Sequence, residues 1–188
     1  TTKFGLGSSQ NGLYFFNTST DAPAGDAAHY FMWASSVGHV FMGNAATITG
    51  NTADSDNNNT GDGGGIFALI GTVNIHNSIL AGNFDTPSNL GAGTVHPDCS
   101  GTFNSPSYNL IGRNNGCAGF VNGTNGNLVG TAGSPLNALL APLANNGGST
   151  LTHALLSGSP AVNAGNPLAP GSGGLACAAA DQRGVMRP

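Results

Sequence analysis

Charge is what this sequence has least of. Only 6% of its 188 residues are charged, against roughly a quarter in an average soluble domain. The acids are eight Asp with no Glu, and the bases are Lys3, Arg113, Arg183 and Arg187 alone. Exposed helix faces are ordinarily filled with Glu, Lys, Gln and Arg, so an all-helical fold is close to excluded. With a net charge of −4 there is no basic stripe to neutralise phosphates and no polybasic segment to hold an anionic membrane, which argues against nucleic acid as a partner. No apolar run approaches the ~20 residues of a membrane helix, so the chain is not expected to span a bilayer. It opens on Thr1-Thr2 with neither an initiating Met nor a leader, which is read as trimming outside the cell or excision from a larger protein.

What is present is Gly, Asn, Ser and Thr, with 31 Gly and 10 Pro set among 39% hydrophobic residues. Ile, Leu, Val and Phe are spread through the chain, enough for a packed core. The segment Ala46-Thr47-Ile48-Thr49-Gly50-Asn51 recurs as Ser78-Ile79-Leu80-Ala81-Gly82-Asn83 and, more loosely, as Asn109-Leu110-Ile111-Gly112-Arg113-Asn114. Between copies, Gly63-Gly64-Gly65-Ile66-Phe67 and Gly71-Thr72-Val73-Asn74-Ile75 alternate apolar residues with Gly punctuation, the pattern of short strands. A unit of about 30 residues made of such strands cannot bury its apolar face alone and must stack on its neighbours. The fold expected is therefore all-β: a short right-handed parallel β-helix, a solenoid with coils of about 30 residues, closed by a C-terminal capping segment. Ile48, Ile66, Val73, Ile75, Leu80 and Ile111 are placed in its interior, and Asn51, Asn83 and Asn114 form an expected ladder at the bend after a strand.

Three stretches follow, within one structural domain. Residues 1–43 carry an aromatic cluster without a clean repeat and are read as degenerate coils or an interaction surface. Residues 44–130 are the coils. Residues 131–188, with Leu136, Leu139, Leu140, Leu143, Leu151, Leu155 and Leu156 between Pro and Gly-Gly turns, are a terminal coil and cap that hides an open end.

The run Pro97-Asp98-Cys99-Ser100-Gly101, then Tyr108-Asn109-Leu110-Ile111-Gly112, Leu143-Ala144-Asn145-Asn146-Gly147-Gly148, Leu151-Thr152-His153-Ala154-Leu155-Leu156, Gly158-Ser159-Pro160-Ala161-Val162-Asn163-Ala164-Gly165 and Asp181-Gln182-Arg183-Gly184 resembles the C-terminal part of bacterial choice-of-anchor Q proteins over about residues 44–188. The resemblance implies a secreted or cell-surface right-handed parallel β-helix, normally followed by an anchoring tail, and it transfers no catalytic residue. At Asn145 and Asn163 the chain departs from the family's pattern, which has Asp there.

Few constellations carry chemistry. Oxygen ligands alternate through Asp54-Ser55-Asp56-Asn57-Asn58-Asn59-Thr60-Gly61-Asp62, and Asp54, Asp56, Asn58 and Asp62 are candidate ligands for a hard cation such as calcium. An EF-hand is excluded by Asn59 and Gly65 at its sixth and twelfth positions, and a solvated polar loop is the plainer reading. The five histidines have no metal-ligand spacing, and no Gly-x-Ser-x-Gly elbow occurs. Asp85 and Asp98 flank the third coil and Arg113 lies in it, but their spacing singles out no site, so the catalytic residues stay unknown. Of three cysteines, Cys99 and Cys117 are the expected disulfide, leaving Cys177 free, exchanging or bridging to another chain. Tyr14, Tyr30 and Trp33 are possible interaction aromatics, as stacking platforms or as core.

The function expected is an extracellular structural or surface protein that presents a stiff, nearly uncharged solenoid and assembles end to end into a filament or matrix, a homo-oligomer or larger surface assembly. The competing reading is a carbohydrate partner: a polysaccharide-binding or polysaccharide-cleaving, pectate-lyase-like β-helix.

Overall fold

The structure is a computed structural model in which residues 46–53, 62–85, 95–104 and 107–188 are described, with only the backbone of 69–72. The regular structure of those residues is almost entirely strand. In chain order it comprises β1 (Thr47–Ile48), β2 (Thr52–Ala53), β3 (Ile66–Asn74), β4 (Ile79–Leu80), β5 (Phe84–Asp85), β6 (Cys99–Asn104), β7 (Leu110–Ile111), β8 (Cys117–Ala118) and β9 (Leu128–Val129). A single 3-10 turn, Thr124–Gly126, precedes β9. The shortage of helix formers on the polar side is met by strands two residues long, which leave the Gly and Asn between them free to bend.

The strands form three sheets, ordered β1-β4-β7-β9, β2-β5 and β3-β6-β8, and every pair within them is parallel. Parallel partners need a long crossover between them. Here the crossover from β1 to β4 contains β2 and β3, one strand of each of the other two sheets, whereas β6 to β8 passes only through β7 and β7 to β9 only through β8.

The pairing of β1 with β4 sets Ile48 beside Leu80, that of β4 with β7 sets Leu80 beside Ile111, and that of β7 with β9 sets Ile111 beside Val129. These four side chains are buried together with Ile66, Val73, Ile75, Phe103 and Phe120 in one apolar core. All six residues placed in the interior from the sequence lie there. The alternate residues of the same strands, Ile79, Leu110 and Leu128, point to the opposite face, as the two-residue period of a strand requires. That face is covered by Leu136, Ala138, Leu140 and Ala161. The C-terminal segment also reaches back to Asn77, whose amide donates to Leu175 O at 2.8 Å while its Oδ1 accepts from Asn166 N–H at 2.9 Å. Residues 136–140, with Ala161, therefore lie along the flank of the first sheet, in the segment read from the sequence as a terminal coil and cap. The physical reason is that β4, β7 and β9 are apolar on both faces, and the second face needs a cover as much as an open end does. Among the described residues, no helix is long and apolar enough to cross a membrane.

β3 and β6 keep register from Ile66↔Cys99 to Ala68↔Gly101, then resume at Val73↔Phe103, so residues 69–72 stand opposite Thr102 alone. Gly101 occupies the break with φ +108°, and a Cβ there would lie 2.2 Å from the Ala68 carbonyl oxygen. Cys99 of β6 and Cys117 of β8 are joined by a disulfide with Cα atoms 5.2 Å apart, close to the spacing of neighbouring strands. Cys177 is a free, half-buried thiol.

Leu80, fully buried between Ile48 and Ile111, is the test of this core: Leu80→Ala is expected to lower the free energy of unfolding by about 3 kcal/mol in chemical denaturation. Replacing Cys99 and Cys117 together by Ala is expected to cost a further ~3 kcal/mol through the freed loop in the unfolded chain, measured in the same way.

Candidate functional site

The polar residues at the ends of the first sheet's strands form two buried columns. After β1 and β4, the Asn51 backbone N–H and side-chain amide both donate to Asn83 Oδ1, at 3.1 and 3.0 Å. The Asn83 N–H and amide donate in the same way to Asp98 Oδ1, at 3.1 and 3.0 Å, and the amide also reaches Ile48 O at 3.0 Å. Before β4, β7 and β9, Ser78 N–H donates to Asn109 Oδ1 at 3.1 Å, and Asn109 N–H and amide donate to Asn127 Oδ1 at 3.0 and 3.1 Å. A short strand flanked by Asn thus has both its exits held by the next layer.

Asn51 and Asn83 are adjacent in the ladder, but Asn114 is not its third member. Asp98 takes that place, and Asn114 instead uses its backbone N–H to reach Gly130 O at 3.0 Å. The reason is chemical: a carboxylate offers two acceptors, so Asp98 receives Asn83 on Oδ1 and the Arg113 N–H on Oδ2 at 2.7 Å, which an amide cannot do. Asp98 is only 1% exposed. Burial raises its pKa above the ordinary 3.8, and the hydrogen bonds from Asn83 and Arg113, with the Arg113 charge, offset part of that rise.

A second buried carboxylate sits beside it in the fold. Asp62 accepts from Gly63 N–H at 2.8 Å, from Ser100 Oγ at 2.5 Å and from His96 Nδ1 at 2.9 Å. The His96 backbone N–H in turn donates to Asp85 Oδ2 at 2.7 Å. Gly116 allows this packing, since a Cβ on it would lie 2.4 Å from the His96 ring. Asp62 was a candidate calcium ligand; its carboxylate is engaged by three protein donors, because the chain brings Ser100 and His96 to it from across the third sheet. Asp54, Asp56 and Asn58 lie outside the described residues, as do Tyr14, Tyr30 and Trp33. Among the described residues, no group of three or more His, Cys, Asp or Glu is placed to hold a metal ion.

Asp85, Asp98 and Arg113, which no spacing in the sequence unites, line one open cleft of about 440 Å³ together with Phe84, Asn137 and Thr49. No short motif in the sequence links them: β5 belongs to the second sheet, Arg113 follows β7 of the first, and Asp98 precedes β6 of the third. Asp98 and Asp62 are saturated by donors, so their chemistry is to hold backbone. Among the lining residues Gly82, Phe84, Arg113, Pro135 and Asn137 are exposed.

Compared with protein-family models, curated proteins and solved structures, the chain finds no match. The resemblance to choice-of-anchor Q proteins rests on the motifs quoted above.

Removing the Asp98 carboxylate orphans the Asn83 and Arg113 donors, so Asp98→Ala is expected to lower stability by about 3 kcal/mol or more in chemical denaturation. Asp98→Asn removes the titrating group at the cost of an amide NH2 facing a donor, either the Asn83 amide or the Arg113 N–H, and since that cost does not vary with pH, the pH dependence of the difference from wild type isolates the titration. A raised pKa means that the folded state binds the proton more tightly than the unfolded state. Wild-type stability relative to Asp98→Asn is therefore expected to be highest below pH 3.8 and to fall as the pH rises through the raised pKa.

Proposed function

We propose that the chain is a right-handed parallel β-helix whose three sheets are the faces of successive coils, and that its role is structural: an extracellular or cell-surface protein presenting a stiff rod that assembles with copies of itself. The observation that carries this reading is that the strands lying between two parallel partners belong to the other sheets, with side-chain amides stacked from layer to layer. Coiling is the simplest path that satisfies those pairings, and right-handed crossovers are the rule for parallel strands.

The extracellular setting is supported by the disulfide, which persists in oxidising compartments, and by the shortage of Lys and Arg as protease targets. Self-assembly is supported by low net charge, which puts little repulsion in the way, and by apolar side chains the C-terminal segment leaves exposed, among them Leu151, Leu155, Leu156 and Leu168. Strands as short as β1 and β9 gain stability when another layer extends their sheet. The buried carboxylates Asp62 and Asp98 serve this role by holding backbone.

Electron microscopy and sedimentation of the purified chain test the assembly. Ordered filaments or sheets, with sedimentation far above that of an 18.5 kDa particle, are the expected result. Dispersed single particles at all concentrations would overturn it.

A further inference from the structure

We infer that His76 is an acid-sensitive catch for the C-terminal segment: protonation of its imidazole releases residues 165–177 from the turn between β3 and β4. This device is independent of whether the chain assembles.

The catch is built on Asn77, which ties that segment to the turn. Asn77 is buried and holds a left-handed φ of +51°. Its Oδ1 accepts from Asn166 N–H at 2.9 Å, and its amide donates to Leu175 O at 2.8 Å. These two bonds fix which end of the amide is which, because turning it over would set the NH2 against an N–H and the carbonyl against a carbonyl. The same Nδ2 lies 3.2 Å from His76 Nδ1. Facing a donor, Nδ1 can only accept, so the imidazole is neutral with its proton on Nε2. A proton on Nδ1 would set N–H against NH2. The Asn77 amide would then have to turn away from the ring, which it cannot do while holding both Asn166 and Leu175. The turn itself is held by other bonds, Asn77 N–H to Ser107 O and Ser78 Oγ to His76 O, so the release falls on the side chain and spares the strands.

The surroundings favour the neutral ring. His76 is 6% exposed, and burial lowers its pKa below the ordinary 6.5. Residues 165–177 bring one titratable side chain to this contact, Cys177. The layer ahead brings Tyr108, whose ring lies against Gly126, while β3 and the strand behind at Thr47–Ile48 bring none. Among the described residues no carboxylate pairs with the imidazole. A folded-state pKa below the unfolded one means that the contact contributes fully above pH 6.5, and that this contribution is lost as the pH falls below 6.5 toward the lowered value.

Cys177 reports the release. It is a free, half-buried thiol packed on Gly165, where a Cβ would lie 3.1 Å from its Sγ. The test is the rate at which 4,4′-dithiodipyridine labels Cys177 in the full chain at pH 7.5 and pH 5.0, relative to the urea-unfolded chain at the same pH, with hydrogen exchange followed by mass spectrometry. For wild type the relative rate is expected to rise about tenfold or more at pH 5.0, with exchange quickening in residues 165–177 while residues 109–129 stay protected. His76→Gln keeps an acceptor that cannot be protonated and should label slowly at both pH values. Asn77→Ala should label rapidly at both. The proposal is overturned if the wild-type relative rate is the same at the two pH values, if His76→Gln rises as wild type does, or if residues 109–129 lose protection together with the segment.

Discussion

Side-chain amides that hand hydrogen bonds from one layer to the next are the interaction on which the rest of this structure depends. A strand of two residues supplies too few backbone bonds to define its own place. Asn51, Asn83 and Asn109, at strand ends, each add a backbone and a side-chain donor to one acceptor in the following layer. Buried polar groups are costly unless satisfied, so these residues also enforce register: a slip by one position would leave several amides without partners in the interior. Leu80 and Ile111 can then be packed side by side, because the columns on either side of them have fixed where the strands lie.

The second constraint is the poverty of charge. A chain with so few Lys, Arg and Glu cannot cover a two-faced sheet with solvated helices, and it covers its first sheet with more of its own extended backbone. Residues 131–188 form only isolated antiparallel bridges, Leu140↔Leu155, Ala144↔Thr152 and Ala180↔Met186, yet they bury the outer face of β4, β7 and β9 through Leu136, Ala138 and Leu140. The disulfide adds a covalent tie between β6 and β8 where the third sheet narrows to a two-residue strand.

Much of the local structure was legible in the sequence because its period is short. Alternation around Gly marked the strands, and the six apolar residues assigned to the interior are buried. The pairing of Cys99 with Cys117 followed from the pair of cysteines nearest in sequence. Asn51 and Asn83 were found because they close visibly similar hexapeptides. Asp98 was not found, since it reaches the ladder from a different strand, 15 residues from Asn83 and 15 from Arg113, and no repeat contains it. The column through Ser78, Asn109 and Asn127 was hidden by its shorter last step, 18 residues against 31. The partnership of Asp62 with His96 and Ser100 spans 34 and 38 residues and has no linear signature at all. The cleft inherits that invisibility, because its lining comes from Thr49 and from residues within 81–85, 95–98, 112–113 and 135–140, which no repeat unites.

The ladder also has a direction. Asn83 both receives and gives, so hydrogen bonds point the same way from Asn51 to Asn83 and on to Asp98, and the sequence of donors could run on without limit if every rung were an amide. Asp98 receives from Asn83 and from Arg113 and, ionised, has no side-chain hydrogen to pass forward. It is a terminator written into the column. In the other column the Asn127 amide donates to Thr124 O in its own layer. The column of Asn51, Asn83 and Asp98 is thus closed by charge, so its length in that direction is set by the chemistry of its last member.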